Sequence, residues 1–129
     1  MLLWSQHLMD FTLNFQPRQI VCLEHGSTYL YAEVIQVVVS RQVCWVRPLV
    51  MGVFPDGFQP YDQVSPLYDL RSVADLLWPG KFFRPALDTE VLPLLTLLVL
   101  EPQLEHDPAA QQQLSQFIHQ VWQAHPGAF

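Results

Sequence analysis

The sequence predicts an α+β protein: a small antiparallel SH3-like or OB-like barrel, or a curved sheet, followed by two C-terminal α-helices. Three observations carry that expectation. Residues 28–50, TYLYAEVIQVVVSRQVCWVRPLV, are dominated by Tyr, Val, Ile and Trp, side chains that fill a pleated surface well. Pro and Gly punctuate residues 52–66, separating this run from later, shorter apolar stretches. Near the C-terminus, Leu114, Phe117, Ile118, Val121 and Trp122 recur at helical spacing.

Taken in order, residues 1–17 carry two periodicities. Trp4, Leu8, Phe11 and Phe15 follow a helical spacing, whereas Phe11, Leu13 and Phe15 alternate with Thr12 and Asn14 as a strand does. The reading is a short helix or irregular arm up to Met9, then a strand that stops at Pro17. Residues 18–25 form the next strand, ended by Gly26 and Ser27, a pair suited to a tight hairpin turn. In the first central strand Leu30, Ala32, Val34 and Val38 point one way and Tyr29, Tyr31, Ile35, Val37 and Val39 the other. Both faces are largely apolar, so each needs a cover: barrel closure on one, helices or a partner on the other. The chain turns near residues 40–42, and the second central strand, 42–54, contains Pro48, which belongs at an edge or a bend.

Residues 67–70 supply a short closing strand, followed by an extended or single-turn segment up to Pro79. Asp88 or Thr89 can cap a helix running to about Leu100, with Pro93 in its first turns. Asp107 caps the last helix, Pro108 opens it, and His125, Pro126 and Gly127 stop it. The whole is expected to be one domain, residues 1–129, with 11–78 as barrel or sheet and 79–129 as a helical part packed on it.

The charge is −6, and it is unevenly spread. Arg18, Arg41, Arg47, Arg71, Lys81 and Arg84 all precede Pro85, while the remainder carries only acidic residues. An acidic surface repels phosphate backbones, which disfavours general nucleic-acid binding unless the arginines cluster. Their plainer use is internal, pairing with acidic residues of the helical part and holding the two halves together. The first residues, MLLWSQHLMD, lack the pattern of a secretory signal, and residues 91–100 are too short a run to span a bilayer, so a cytoplasmic protein is expected. Cys22 and Cys44 read as buried, reduced packing residues.

No chemistry-bearing motif stands out. The histidines lack metal-ligand spacing, and no Cys-x-x-Cys, His-Glu-x-x-His or glycine-rich phosphate loop occurs. Cys22 and His25 fall on opposite faces of one strand and cannot act as nucleophile and base. Asp69, Asp75, Asp88 and Glu90 are a weak carboxylate set, since the same types cap helices and answer Arg71 and Arg84. No cofactor is implied, and an enzyme is not the expectation. The suggestive features are surface-chemical. Arg41, Val43, Trp45 and Arg47 share one face of a strand, opposite Cys44 and Val46, and Arg and Trp are enriched at the energetic centres of interfaces. The competing reading places that face under the last helix, with Trp45 against Trp122 or Phe117. A second candidate is the aromatic stretch holding Trp78, Lys81, Phe82, Phe83 and Arg84, which must pack under the helices or meet another chain.

The segment LYDLRSVADLLWP, with FFRPALDTEVLPLL after it, resembles a family of small, largely uncharacterised cyanobacterial proteins, over residues 20–122. The resemblance implies a cytoplasmic accessory protein. Some small cyanobacterial proteins of this kind dock on larger enzymes, ribonuclease E being one such target. The leading expectation is therefore a non-enzymatic module that regulates or helps assemble a larger protein through Arg41, Trp45, Arg47 and the stretch from Trp78 to Arg84. A nucleic-acid-binding barrel is the first alternative and a ligand or enzymatic pocket inside the barrel the second.

Overall fold

Two-residue and four-residue turns set the spacing of the central strands. Gly26 has φ +59 and Ser27 does not share its sign, so the turn between His25 and Thr28 is of the II′ kind, whose twist suits a hairpin. Val39–Arg41 form a 3-10 turn that ends on Gln42 in the left-handed region, with Gln42 N–H donating to Val39 O at 3.2 Å. In this computed structural model, which describes residues 14–55, 57, 67–100 and 108–127, these turns join β1 (Ile20–His25), β2 (Thr28–Val38) and β3 (Val43–Val53). Three short strands complete the sheet: β4 (Leu67–Asp69), β5 (Leu76–Pro79) and β6 (Phe83–Pro85). Two helices follow, α1 (Asp88–Leu100) and α2 (Pro108–Ala124).

The sheet is antiparallel and open, with the order β4-β3-β2-β1-β6, and β5 shares with β4 the far edge of β3. Closure into a barrel is unnecessary because the two helices cover opposite faces. Ala110, Leu114, Phe117 and Val121 of α2 pack on Val21, Leu23, Leu30, Ala32, Val34, Cys44 and Val46. Val91, Leu94 and Leu98 of α1 pack on Cys22, Tyr31, Val50 and Phe54. The largely apolar hairpin thus has a lid from the chain itself on each face, complete on the α2 side and partial on the α1 side. Cys22 and Cys44 lie on opposite faces with β2 between their strands, so they are separate buried thiols.

Two bulges keep this two-sided pattern in register. The pairing β2 to β3 slips at Leu49, between Tyr31↔Val50 and Ala32↔Pro48, and again at Ile35, between Val34↔Val46 and Gln36↔Trp45. After Ile35 the parity inverts, and Val37 packs with the α2-side core alongside Val34 rather than opposite it, as simple alternation had placed it. Pro48 sits beside the first bulge, in the gap where β3 is paired by neither β4 nor β5, so its missing N–H interrupts no ladder on that side.

Several expectations shift in detail. Asn14, Phe15, Gln16 and Pro17 are not in a strand; Phe15 is buried in the α2-side core and Arg18 turns the chain with φ 74. The arm before residue 14 and the Asp107 cap lie outside the described residues. β6 falls in a stretch read as leading into helices. It pairs with β1 as Val21↔Pro85, Cys22↔Arg84 and Leu23↔Phe83. Helix α1 is capped neither by Asp88 nor by Thr89. Leu87 O accepts the first helical bonds, and the Glu90 carboxylate reaches back to Leu87 N–H at 3.0 Å, the carboxylate half of a capping box.

Candidate functional site

Helix α1 covers one half of its face of the sheet. The other half, over residues 43–47 of β3 and over β5, is covered by neither described helix. Cys44 and Val46 turn towards α2, so Val43, Trp45 and Arg47 turn to this half, as their alternation predicts. Trp45 is 38% exposed and stands opposite Leu77 of β5, itself 63% exposed. Trp45 is not under the last helix and touches neither Trp122 nor Phe117 through any ring contact among the described residues.

Asp75, just before β5, holds this surface in place. Trp45 donates its indole N–H to Asp75 Oδ2 at 2.9 Å, and Arg47 Nε lies 3.5 Å from Asp75 Oδ1. One carboxylate thereby fixes both side chains, limiting the rotamer entropy they would lose on meeting a partner. Beyond them lies a groove of about 450 Å³ whose floor is Val43, Leu77, Trp78 and Pro79 and whose rim carries Arg41 and Lys81. Arg41 reaches it from the 3-10 turn and Lys81 from a second 3-10 turn, Gly80–Phe82.

The rest of the aromatic stretch serves the interior. Trp78 and Phe83 are buried in the α2-side core. Phe82 is half-buried, its ring 4.9 Å from that of His125, and the Lys81 ammonium stands 5.7 Å from the Phe82 ring centre. Arg84 belongs to a half-buried polar cluster on the α1 side. Its two Nη atoms donate to Glu90 Oε1 and Oε2 at 2.8 Å each, and Nη2 lies 3.4 Å from Glu24. The Tyr31 hydroxyl donates to Glu90 Oε2 at 2.7 Å. These bonds hold the Glu90 carboxyl down at about 2, and Arg84, facing it, is raised above the ordinary guanidinium value. Burial pushes the Cys22 thiol up to about 12 and, together with the bond to Glu90, raises the Tyr31 phenol. A thiol so shielded is a poor nucleophile. At the other end of α1, Arg71 grips Asp69 at 2.7 Å and reaches the Leu98 carbonyl at 3.5 Å. Arg71 and Arg84 therefore fasten both ends of α1 to the sheet.

The proposed surface set thus divides. Arg41, Trp45, Arg47 and Lys81 meet on one exposed face, while Trp78, Phe83 and Arg84 act in the core or in fastening α1. Leu77 and Asp75 were missed. Their signal was the alternation in LLWP, where Leu77 must point away from Leu76 and Trp78, but it shows only once that segment is read as a strand. Elsewhere, Leu92 and Val99 on the outer side of α1 and Trp122 on α2 are exposed, the last beside an apolar groove of about 560 Å³ against Trp78. Among the described residues no three His, Cys, Asp or Glu side chains converge, and no helix is long and apolar enough to cross a membrane. No protein-family model, curated protein or solved structure matches the chain.

Proposed function

We propose that the protein is a binding module that regulates or helps assemble a larger protein, and that it docks through the β3–β5 face. The observation that carries this reading is the solvent-facing Trp45–Leu77 pair, its Trp45 held by Asp75, beside Arg41, Arg47 and Lys81. Large aromatic and arginine side chains with restricted rotamers are the usual anchors of protein interfaces. The exposed side of α1 offers apolar area at Leu92 and Val99 with Asp88 at its start and no cation; the β3–β5 face combines area with hydrogen-bonding and positively charged groups, which is what selects one partner over others. The module works in the cytoplasm, and its partner is a larger enzyme, ribonuclease E being the first to try on the strength of the sequence resemblance.

Co-purification with a tagged chain tests this. A stoichiometric partner is retained by the native protein and lost from the Trp45→Ala/Arg47→Ala variant, whose circular dichroism and melting temperature stay close to native. Retention of every partner by that variant overturns the reading. Purified ribonuclease E, added to the same two proteins, reports directly on that choice of target.

A further inference from the structure

Charge accounting across the molecule singles out the groove at β5. Of the six cations in a chain of charge −6, Arg47, Arg71 and Arg84 are engaged by Asp75, by Asp69, and by Glu24 and Glu90. Arg18, Arg41 and Lys81 pair with no carboxylate among the described residues; Arg18 lies apart, just before β1, whereas Arg41 and Lys81 line the same groove, whose described lining contains no acidic side chain. A local positive field inside an acidic molecule draws an anionic group to that place and keeps it from the rest of the surface. The floor is apolar, so a bare anion would leave Leu77 and Pro79 in water.

The backbone adds a third requirement. β5 is paired with β3 on one side, and among the described residues no strand lies on its other side. Gly80 N–H donates to Gln42 O at 2.9 Å, which makes 42/80, 44/78 and 46/76 the hydrogen-bonded pairs of the antiparallel ladder. Leu77 and Pro79 fall between them, with their backbone groups turned outward. Pro79 has no N–H to offer, so the edge presents one donor and one acceptor at Leu77 and the carbonyl of Pro79. An incoming strand can make a short ladder there, long enough to orient a guest and too short to seed sheet-to-sheet aggregation.

We infer that the guest is an extended acidic peptide segment of the partner protein, added along the outer edge of β5 with an apolar side chain over Leu77 and Pro79 and carboxylates facing Arg41 and Lys81. This deepens the docking reading above and rests on it. β-strand addition takes affinity from main-chain bonds and specificity from alternate side chains, which is the division of labour that this edge and groove provide. A nucleic-acid strand fits less well: it carries a charge at every residue, and the two cations of this groove cannot offset that against the acidic remainder.

The test uses the full chain and dye-labelled nonapeptides that alternate Asp or Glu with Leu or Phe, followed by fluorescence anisotropy. Controls are the same peptides with Lys for the acidic residues and a 12-nucleotide single-stranded RNA. Expected are saturable binding of the acidic peptides only, weakening with salt, and a loss of roughly tenfold or more in Arg41→Glu/Lys81→Glu. Both positions are exposed, so that variant keeps its native fold and melting temperature. Amide shifts at Leu77 on peptide addition place the bound strand on the β5 edge. Absence of binding, equal binding of the Lys peptides, or binding of the RNA instead overturns the inference. If the acidic peptides fail while Trp45→Ala/Arg47→Ala still loses its co-purifying partner, the guest was misassigned and the docking face stands; if both fail, the docking face falls with it.

Discussion

Arg84 and Glu90 meet through two parallel bonds of 2.8 Å, joining β6 to the first turn of α1 across the face that Tyr31 and Cys22 share. The Glu90 side chain is 11% exposed, so its charge is shielded from water and held by its partners. The same carboxylate serves Arg84, Tyr31 and the Leu87 N–H at once.

That arrangement fixes an acid dependence. Glu90 is lowered from 4.5 to about 2 on folding, so the unfolded chain binds the extra proton first and stability rises with pH through that interval. The contribution, at most about 3 kcal/mol, is complete above pH 4.5 and fades as pH falls towards 2. In urea titrations at pH 7, 4 and 2.5, the native protein loses more stability on acidification than Glu90→Gln does. Parallel acid limbs would show that Glu90 is not the group responsible.

Removing the cation is worse than removing the anion. Arg84→Met leaves a carboxylate under α1 with only Tyr31 and a backbone N–H, and costs about 3 kcal/mol. Glu90→Gln keeps a neutral acceptor in place and costs less. Chemical denaturation of the two variants at pH 7 ranks them.

Gln42 holds φ 55, a left-handed conformation that a β-branched side chain resists. Gln42→Val destabilises the protein by about 1 to 2 kcal/mol, while Gln42→Gly is tolerated without loss. Thermal melts of both variants decide it, and a harmless Gln42→Val would contradict the strain at this turn.

A methyl group on Gly52 would stand 2.5 Å from Cε2 of the buried Phe54 ring. Gly52→Ala therefore displaces that ring and costs about 2 kcal/mol. The effect is coupled to the ring: in a double-mutant cycle, Phe54→Leu absorbs part of it, whereas additive losses would mean that the backbone itself is strained.

Cys22 is buried and its thiol pushed up to about 12, so it reacts with iodoacetamide at pH 8 only as fast as the protein unfolds. Labelling of the folded protein at the rate of a free thiol would place it in an open site.

The large elements were legible in sequence because their pattern is strong. The hairpin of β2 and β3, its turn at residues 39–42 and the buried stripe Leu114, Phe117 and Val121 of α2 stand as the residue types imply. What escaped were features set by tertiary pairing. The bulges at Ile35 and Leu49 shift the alternation without changing composition, and β6 is three residues long, made only by its contact with β1. At the site, Arg41, Trp45 and Arg47 were readable from alternation on one strand. Leu77 and Asp75 belong to it through the pairing of β5 with β3, which no local pattern encodes. Glu90 is among the acidic residues that the sequence offers as caps and as partners of Arg71 and Arg84, and it serves as both; that a strand, β6, carries Arg84 to it is what no local pattern encodes.

Strand β1 alternates between two separate interiors: Val21 and Leu23 belong to the one beneath α2, Cys22 to the one beneath α1. The wall dividing these interiors is a single backbone thick. Successive residues of one strand therefore floor both helices, with no second layer of side chains between the seat of α1 and the seat of α2.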